Sequence, residues 1–199
     1  MYVKTSRPSV AAFLLLVAGL FLATAACSSG SATASLGSVN VYLTDAPLDL
    51  ETVEAVNVTL TELVVVAGDD DEEEHIVRML DGPDGSPIWN LLDYRDGKEV
   101  LIGTVDLPAG EYRKVRLRVA AAELVRDDDG DPDTPSLVEP IFNPSGKVDV
   151  NVPFVLSATE SLDIALDFDA ALSIQVNTTN GQHPYILRPV VHPVRVESR

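Results

Sequence analysis

Apolar and polar residues alternate along most of the chain that follows Ser38. In "SVNVYLTD", Val39, Val41 and Leu43 fall on one side of an extended chain and polar residues fall on the other. A period of two is typical of antiparallel strands with one buried face and one face in water. The same pattern predicts core positions at Val56, Val58, Leu60, Val115, Leu117, Val119, Leu162, Ile164, Leu166 and Phe168. Because no stretch of this body has helical periodicity, we expect it to be all-β.

Short segments rich in Gly, Pro, Asp and Asn separate the predicted strands. They read "TDAPLD", "AGDDDEEE", "DGPDGSP", "DYRDGK", "LPAGEY", "DDDGDPDTP" and "NPSGK", and their residues favour turns. About eight or nine strands at this spacing predict an antiparallel two-sheet β-sandwich, immunoglobulin-like or prealbumin-like. In the last segment, Pro189 and Pro193 cannot donate ladder hydrogen bonds, which predicts an edge strand.

The charge of the chain is strongly negative. All 31 acidic residues and 12 of the 14 basic ones follow Ala26. Nucleic-acid binding depends on clustered Lys and Arg that replace counterions on phosphates, so we expect no nucleic-acid partner.

The first residues have the order of an export signal. Lys4 and Arg7 precede a long apolar run, which ends in "LATAAC" with Cys27, the only cysteine of the chain. An uncleaved membrane helix or ordinary secretion are the alternatives, since the run is close to the length that crosses a bilayer. The stretch "LATAAC" resembles the signal of bacterial lipoproteins, with Thr24 where leucine is usual. That resemblance implies cleavage before Cys27 and acylation of its sulfur and amine.

Three segments follow from this interpretation. Residues 1–26 are the expected lipoprotein signal peptide, 27–37 a flexible tether and 38–199 the β-sandwich domain. Two or more acyl chains anchor a protein stably, so the predicted partner of Cys27 is a membrane. By the rule for Gram-negative lipoproteins, Ser28 after the cysteine favours the outer membrane, with the body facing the periplasm or the exterior.

A wider resemblance covers nearly all of the chain after Gly37. The motifs "VNVYLTDAPLD", "VEAVNVTLTELVV", "IWNLLD", "LPAGEYRKVRLRV", "LDFDAALSI" and "YILRPVV" are together similar to the bacterial lipoproteins of domain-of-unknown-function family 4382. The resemblance implies an exported, often lipid-anchored β-sandwich. It supplies no catalytic residues.

One acidic loop is a candidate metal site. Asp127, Asp129, Asp131 and Asp133 alternate in "RDDDGDPDT", and Ca²⁺ takes six to eight oxygen ligands in adaptable geometry. The loop is not an EF-hand, because Pro132 stands where the sixth-position glycine belongs. We therefore expect a solvated acidic hairpin loop, and a calcium site with a shape of its own is the alternative. Calcium is the one candidate cofactor.

Two further acidic segments are expected to be turns. In "TDAPLD", the Asp45 carboxylate is expected to cap nearby backbone N–H groups, while a cation held by Asp45 and Asp49 is the alternative. The run "GDDDEEEH" is expected to form an exposed hairpin tip, because adjacent like charges repel one another.

One basic stripe stands out in this acidic protein. It comprises Arg113, Lys114, Arg116 and Arg118, with Arg116 and Arg118 pointing outward. We expect pairing with a neighbouring strand such as the one that carries Asp163, Asp167 and Asp169. A docking surface for an acidic glycan or an envelope protein is the alternative.

No catalytic constellation is visible. His75, His183 and His192 lack the short fixed spacing of a metal site, and no G-x-S-x-G elbow exists. We therefore expect a non-catalytic binding or structural module rather than an enzyme. The alternative function is a carbohydrate-binding accessory module, which requires solvent-facing aromatic rings at Trp89, Tyr42 or Tyr94.

Overall fold

The computed structural model describes residues 35–45, 52–68, 73–127, 129–131, 133–179 and 183–199. Residues 1–26, Cys27 and most of the predicted tether lie outside this part of the chain, as does Asp49. Within it, no helix is long and apolar enough to cross a membrane.

The described residues are mainly strands. In chain order these are β1 Leu36–Thr44, β2 Val53–Ala67, β3 Glu73–Ile76, β4 Arg78–Met79, β5 Ile88–Asn90, β6 Val100–Pro108, β7 Gly110–Arg126, β8 Leu137–Ile141, β9 Lys147–Leu156, β10 Ser161–Phe168, β11 Ile174–Val176, β12 Tyr185–Leu187 and β13 Val191–Ser198. A 3₁₀ helix, Leu91–Tyr94, and one short α-helix, α1, Ala170–Ser173, complete the list. The count exceeds the predicted eight or nine strands because several strands have only two or three residues, too few to show alternation.

The strands form two large sheets and one small one. The five-stranded sheet has the order β13-β10-β1-β6-β4. The six-stranded sheet has the order β3-β2-β7-β8, with β5 also paired to β2 and β9 also paired to β7. β11 and β12 pair as a two-stranded sheet. β13 lies at the edge of its sheet, which confirms the prediction made from its prolines.

Most neighbouring strands are antiparallel, but β1 and β10 are parallel. Their register places Val41 beside Ile164 and Thr44 beside Asp167. Parallel neighbours need a long connection, and here more than a hundred residues separate the two strands. The parallel pair brings the C-terminal ends of β1 and β10 to the same edge of the sheet.

The core lies between the two large sheets, as expected for a β-sandwich. Every core position predicted from the alternation is buried, and these side chains belong to one apolar cluster. Trp89, Ile102 and Phe154 extend the same cluster. The alternation therefore predicted the inward face of β1, β2, β7 and β10 correctly, because each lies inside a sheet that has one face on the core.

The prediction of a wet outer face on β10 is wrong. Asp163 and Asp167 point away from the core, yet both are buried. β10 is an inner strand between β13 and β1, and long side chains from its neighbours cover it. Arg199 Nε lies 2.7 Å from Asp163 Oδ2, and Asn40 donates to Asp163 Oδ1 at 2.9 Å.

Candidate functional site

The candidate site is the end of the five-stranded sheet where the parallel strands β1 and β10 stop. Asp45 follows β1 directly, Asp167 is the penultimate residue of β10, and Asp169 follows β10. We call Asp45, Asp167 and Asp169 the strand-end acids. Their negative charges act on one another, since both Asp167 and Asp169 raise the pKa of Asp45.

Asp45 is the least ordinary of the three. Its residue is only 3% exposed. Its Oδ1 accepts a hydrogen bond from the backbone N–H of Ala170 at 2.9 Å, while its Oδ2 is buried and has no hydrogen-bond partner among the residues that the structure describes. Burial, assisted by the two neighbouring carboxylates, raises the pKa of Asp45 to about 6, although the Ala170 bond and Arg95 act in the opposite direction.

Backbone contacts fix Asp45 in place. Its N–H donates to the carbonyl of Tyr94 at 3.1 Å, and the hydroxyl of Thr44 donates to the same carbonyl at 3.0 Å. The end of β1 is thereby tied to the 3₁₀ helix. Asp45 does cap a backbone N–H, but the donor, Ala170, is distant in sequence. The N–H groups of the turn that the prediction concerned, in residues 46–51, lie outside the described residues.

Asp167 and Asp169 have their own contacts. His192 Nε2, on the edge strand β13, lies 3.3 Å from Asp167 Oδ2. Asp169 caps α1, because its Oδ1 accepts from the N–H of Leu172 at 2.8 Å. A buried carboxyl group of raised pKa beside other acids is the kind of group that can hold or release a proton near neutral pH.

The loop with the four predicted calcium ligands folds onto its own backbone. Asp127 Oδ1 accepts from the N–H groups of Asp129 and Gly130, at 3.2 and 2.8 Å. Asp129 and Asp131 each accept from the N–H two residues later, Asp131 and Asp133 respectively. Gly130 has φ +68°, the left-handed conformation that favours glycine. These bonds are those of a hairpin loop whose side chains cap its own backbone.

Across the residues that the structure describes, no group of three or more His, Cys, Asp or Glu side chains is arranged to hold a metal ion. Calcium binding by Asp127, Asp129, Asp131 and Asp133 stays a prediction.

Arg116 and Arg118 of the basic stripe pair with neighbouring strands, as expected, but the strand named in the prediction, β10, is not one of them. Arg116 forms a two-point ion pair with Asp149 on β9, at 2.5 and 2.9 Å, and also pairs with Glu74 on β3. Arg118 pairs with Glu62 on β2 at 2.6 Å. The reason is topological: β7 neighbours β2 and β9 in the six-stranded sheet, whereas β10 belongs to the other sheet.

Arg116 was also expected to face the solvent, and its residue is only 4% exposed. Its guanidinium is bound by carboxylates of the same protein. The hydrogen bonds that Arg116 donates lower the pKa of Asp149. A glycan-docking role for Arg116 is therefore not supported by its position.

The aromatic residues of the carbohydrate-binding alternative do not form an exposed row. Trp89 is 1% exposed and Tyr94 is also buried, with their rings 6.3 Å apart in the core. Tyr42 is half-buried, and the guanidinium of Arg195 lies over its ring at 5.4 Å. The carbohydrate-binding alternative requires a solvent-facing ring, and neither Trp89 nor Tyr94 supplies one, because both side chains fill the interior.

The three histidines have separate surroundings. His75 packs edge-on against Tyr112, with ring centroids 5.7 Å apart, and lies near Glu73. His183 stacks on Phe142 at 4.5 Å, and His192 contacts Asp167. β2 and β3 pair as a hairpin, with Ala67 opposite Glu73, which confirms the hairpin. The tip is shorter than the predicted "GDDDEEEH", because Glu73 to His75 belong to β3; residues 69–72 lie outside the described part.

Sequence reasoning missed two features of this end of the molecule. It did not find the bond between Asp45 and Ala170, or the contact of His192 with Asp167. The only sequence signal for them is that "LTD" and "LDFDA" both end strands with acids, and this signal gains meaning only once the two strands are known to be parallel.

Comparison with known proteins identifies one family. The sequence model of DUF4382, described as a domain of unknown function, matches residues 36–189, which contain β1 to β12 and end two residues before β13. Searches of curated proteins and of solved structures gave no significant match. Since the match covers more than half of the sequence, this chain belongs to the DUF4382 family.

Proposed function

We propose that this chain is a lipid-anchored protein of the bacterial cell envelope, whose β-sandwich has a non-catalytic binding or structural role. The observation that carries the proposal is the position of Cys27. It is the only cysteine of the chain, it follows an apolar run that ends in Ala25 and Ala26, and it precedes the first strand by a short serine-rich stretch.

The spacing between Cys27 and the body suits an anchor. β1 begins at Leu36, so residues 28–35 separate it from the acylated residue. Eight residues span at most about 28 Å when fully extended. Such a tether would hold the sandwich within one domain diameter of the lipid surface, facing the periplasm or the exterior of an outer membrane.

The strand-end acids support a non-catalytic role. A catalytic group must reach its substrate, but Asp45 is buried and its one bonded oxygen is occupied by the Ala170 N–H. Oδ1 of Asp169 likewise already accepts a hydrogen bond, from the N–H of Leu172 in α1. The candidate partners remain the membrane through the anchor, and an envelope protein or a glycan that binds elsewhere on the body.

Metabolic labelling tests the anchor. Cells that express the full chain are grown with labelled palmitate, and the label is measured in wild type, in Cys27→Ser and in Ser28→Ala, a neighbouring substitution that keeps the thiol. We expect label in wild type and in Ser28→Ala and none in Cys27→Ser. Equal labelling of Cys27→Ser, or recovery of wild type in the aqueous fraction, would reject the proposal.

A further inference from the structure

One buried carboxyl group connects the end of β1 to α1. We use the name α1 junction for Asp45, Asp169 and residues 170–173. Ala170 N donates to Asp45 Oδ1 at 2.9 Å, and both residues are buried. Asp169 N donates to the carbonyl of Val190 at 3.0 Å, and the hydroxyl of the buried Ser173 accepts from Val190 N at 2.8 Å. Together these bonds attach α1 to β1 and to the segment that precedes β13.

The second oxygen of Asp45 makes the junction sensitive to charge. Oδ2 is buried and, within the described part of the chain, has no hydrogen-bond partner. A neutral carboxyl group tolerates such a position far better than a carboxylate, whose charge is costly to remove from water. The bond to Ala170 uses only Oδ1 and can form in both protonation states.

Charged groups face Asp45 from the elements packed around it. Asp167 lies at the end of β10 and Asp169 precedes α1, and both repel an ionised Asp45. Arg95, which follows the 3₁₀ helix, attracts an ionised Asp45. The Nε–H of Arg95 already donates to the carbonyl of Leu92, at 2.8 Å. His192 on β13 contacts Asp167 rather than Asp45.

We propose that Asp45 is a proton-dependent clamp, which holds α1 against β1 more tightly when its carboxyl group is protonated than when it is ionised. The inference does not depend on the lipid anchor, because every group involved belongs to the folded body. It assigns to Asp45 a regulatory property in addition to its capping of an N–H.

The direction follows from linkage. The pKa of Asp45 is raised from 3.8 to about 6, so the folded junction binds the proton more strongly than the opened one. The extra stability of the closed junction is present below pH 3.8 and is lost as the pH rises through about 6. The full difference corresponds to a change of about a hundredfold in the opening equilibrium.

Amide hydrogen exchange of the full chain in detergent micelles tests the clamp. Protection factors, corrected for the intrinsic pH dependence of exchange, are measured between pH 4.5 and 7.5 for the amides of Ala170, Leu172 and Ser173. In wild type we expect protection to fall by at least tenfold over this range. In Asp45→Asn, which keeps the acceptor for Ala170 but cannot ionise, we expect no such fall.

Two controls separate the clamp from other causes. His192→Gln removes the imidazole that lies 3.3 Å from Asp167, and the protection of the junction amides in this variant should fall as in wild type. Amides of the core strand residues Val58 and Leu117 report global unfolding and should not follow the junction. Loss of the pH dependence in His192→Gln, or its persistence in Asp45→Asn, would overturn the proposal.

A measurement on wild type alone keeps the proposal testable if Asp45→Asn does not fold. Carboxyl ¹³C chemical shifts of the labelled chain report the titration of each aspartate. A midpoint for Asp45 well above 3.8 is expected, and a midpoint at or below that value would refute the clamp.

Discussion

Gly103 on β6 lies where the core leaves no space for a side chain. A Cβ at this position would stand 2.8 Å from Val77 Cγ1, 2.9 Å from Leu63 Cδ2 and 3.1 Å from the carbonyl oxygen of Arg78. Two of these distances are shorter than carbon atoms tolerate, so Gly103→Ala must displace its neighbours. Overpacking of this kind costs about 1–3 kcal/mol, and the lower backbone entropy of alanine in the unfolded chain offsets about 0.5–1 kcal/mol. We expect a net loss of about 1–2 kcal/mol in the free energy of unfolding.

A double substitution tests the steric reasoning directly. Val77→Ala removes the closest atom and by itself should cost about 2 kcal/mol, for two methyl groups and the cavity that they leave. In Gly103→Ala with Val77→Ala, the new methyl group fills part of that cavity. The double variant should therefore be more stable than the sum of the single effects by about 1 kcal/mol.

Urea unfolding followed by the fluorescence of Trp89, the sole tryptophan, measures these energies. Gly110→Ala is the matched control, because its added Cβ would meet only the Pro108 carbonyl at 4.0 Å. Its effect should stay below about 0.5 kcal/mol, as for other substitutions without a specific cause. The packing argument would be refuted if the losses in the free energy of unfolding were additive in the double variant. It would also be refuted if Gly103→Ala lost no more stability than Gly110→Ala.

Two other predictions concern charged groups. Arg116 lowers the pKa of Asp149 below 3.8, so the contribution of this pair to stability is present above that pH and is lost as the pH falls. Asp149→Asn should therefore lower the urea midpoint at pH 7. The difference from wild type should vanish in acid. An equal difference at pH 7 and pH 3 would contradict this account. For the acidic loop, any rise in melting temperature caused by Ca²⁺ should disappear in Asp129→Ala with Asp131→Ala, and a wild type that does not respond to Ca²⁺ would remove the calcium site.

The strands of the core were predictable because burial imprints a local pattern. Val39, Val41 and Leu43 alternate with polar residues, and so do Val115, Leu117 and Val119; all six are buried. The edge position of β13 was predictable for an equally local reason, since a proline lacks the N–H that an inner strand must donate. The very short strands β4, β5, β11 and β12 were not separately predictable, because two or three residues carry no periodicity.

The candidate site was only partly predictable. The sequence singled out Asp45 as a capping residue, and its carboxylate does cap an N–H. It did not identify Ala170 as the donor. The outward position of Arg116 was inferred correctly from its place on β7, but its burial was not, because Asp149 and Glu74 come from other strands.

By itself, the sequence determined an all-β body, the inner face of its main strands, its turns and its acidic charge. All of these depend on residues that are close together along the chain. The tertiary structure alone decided which strands are neighbours. The parallel pairing of β1 with β10 places Asp45 beside Asp167 and Asp169, and this pairing depends on the combined packing of distant segments rather than on any local pattern.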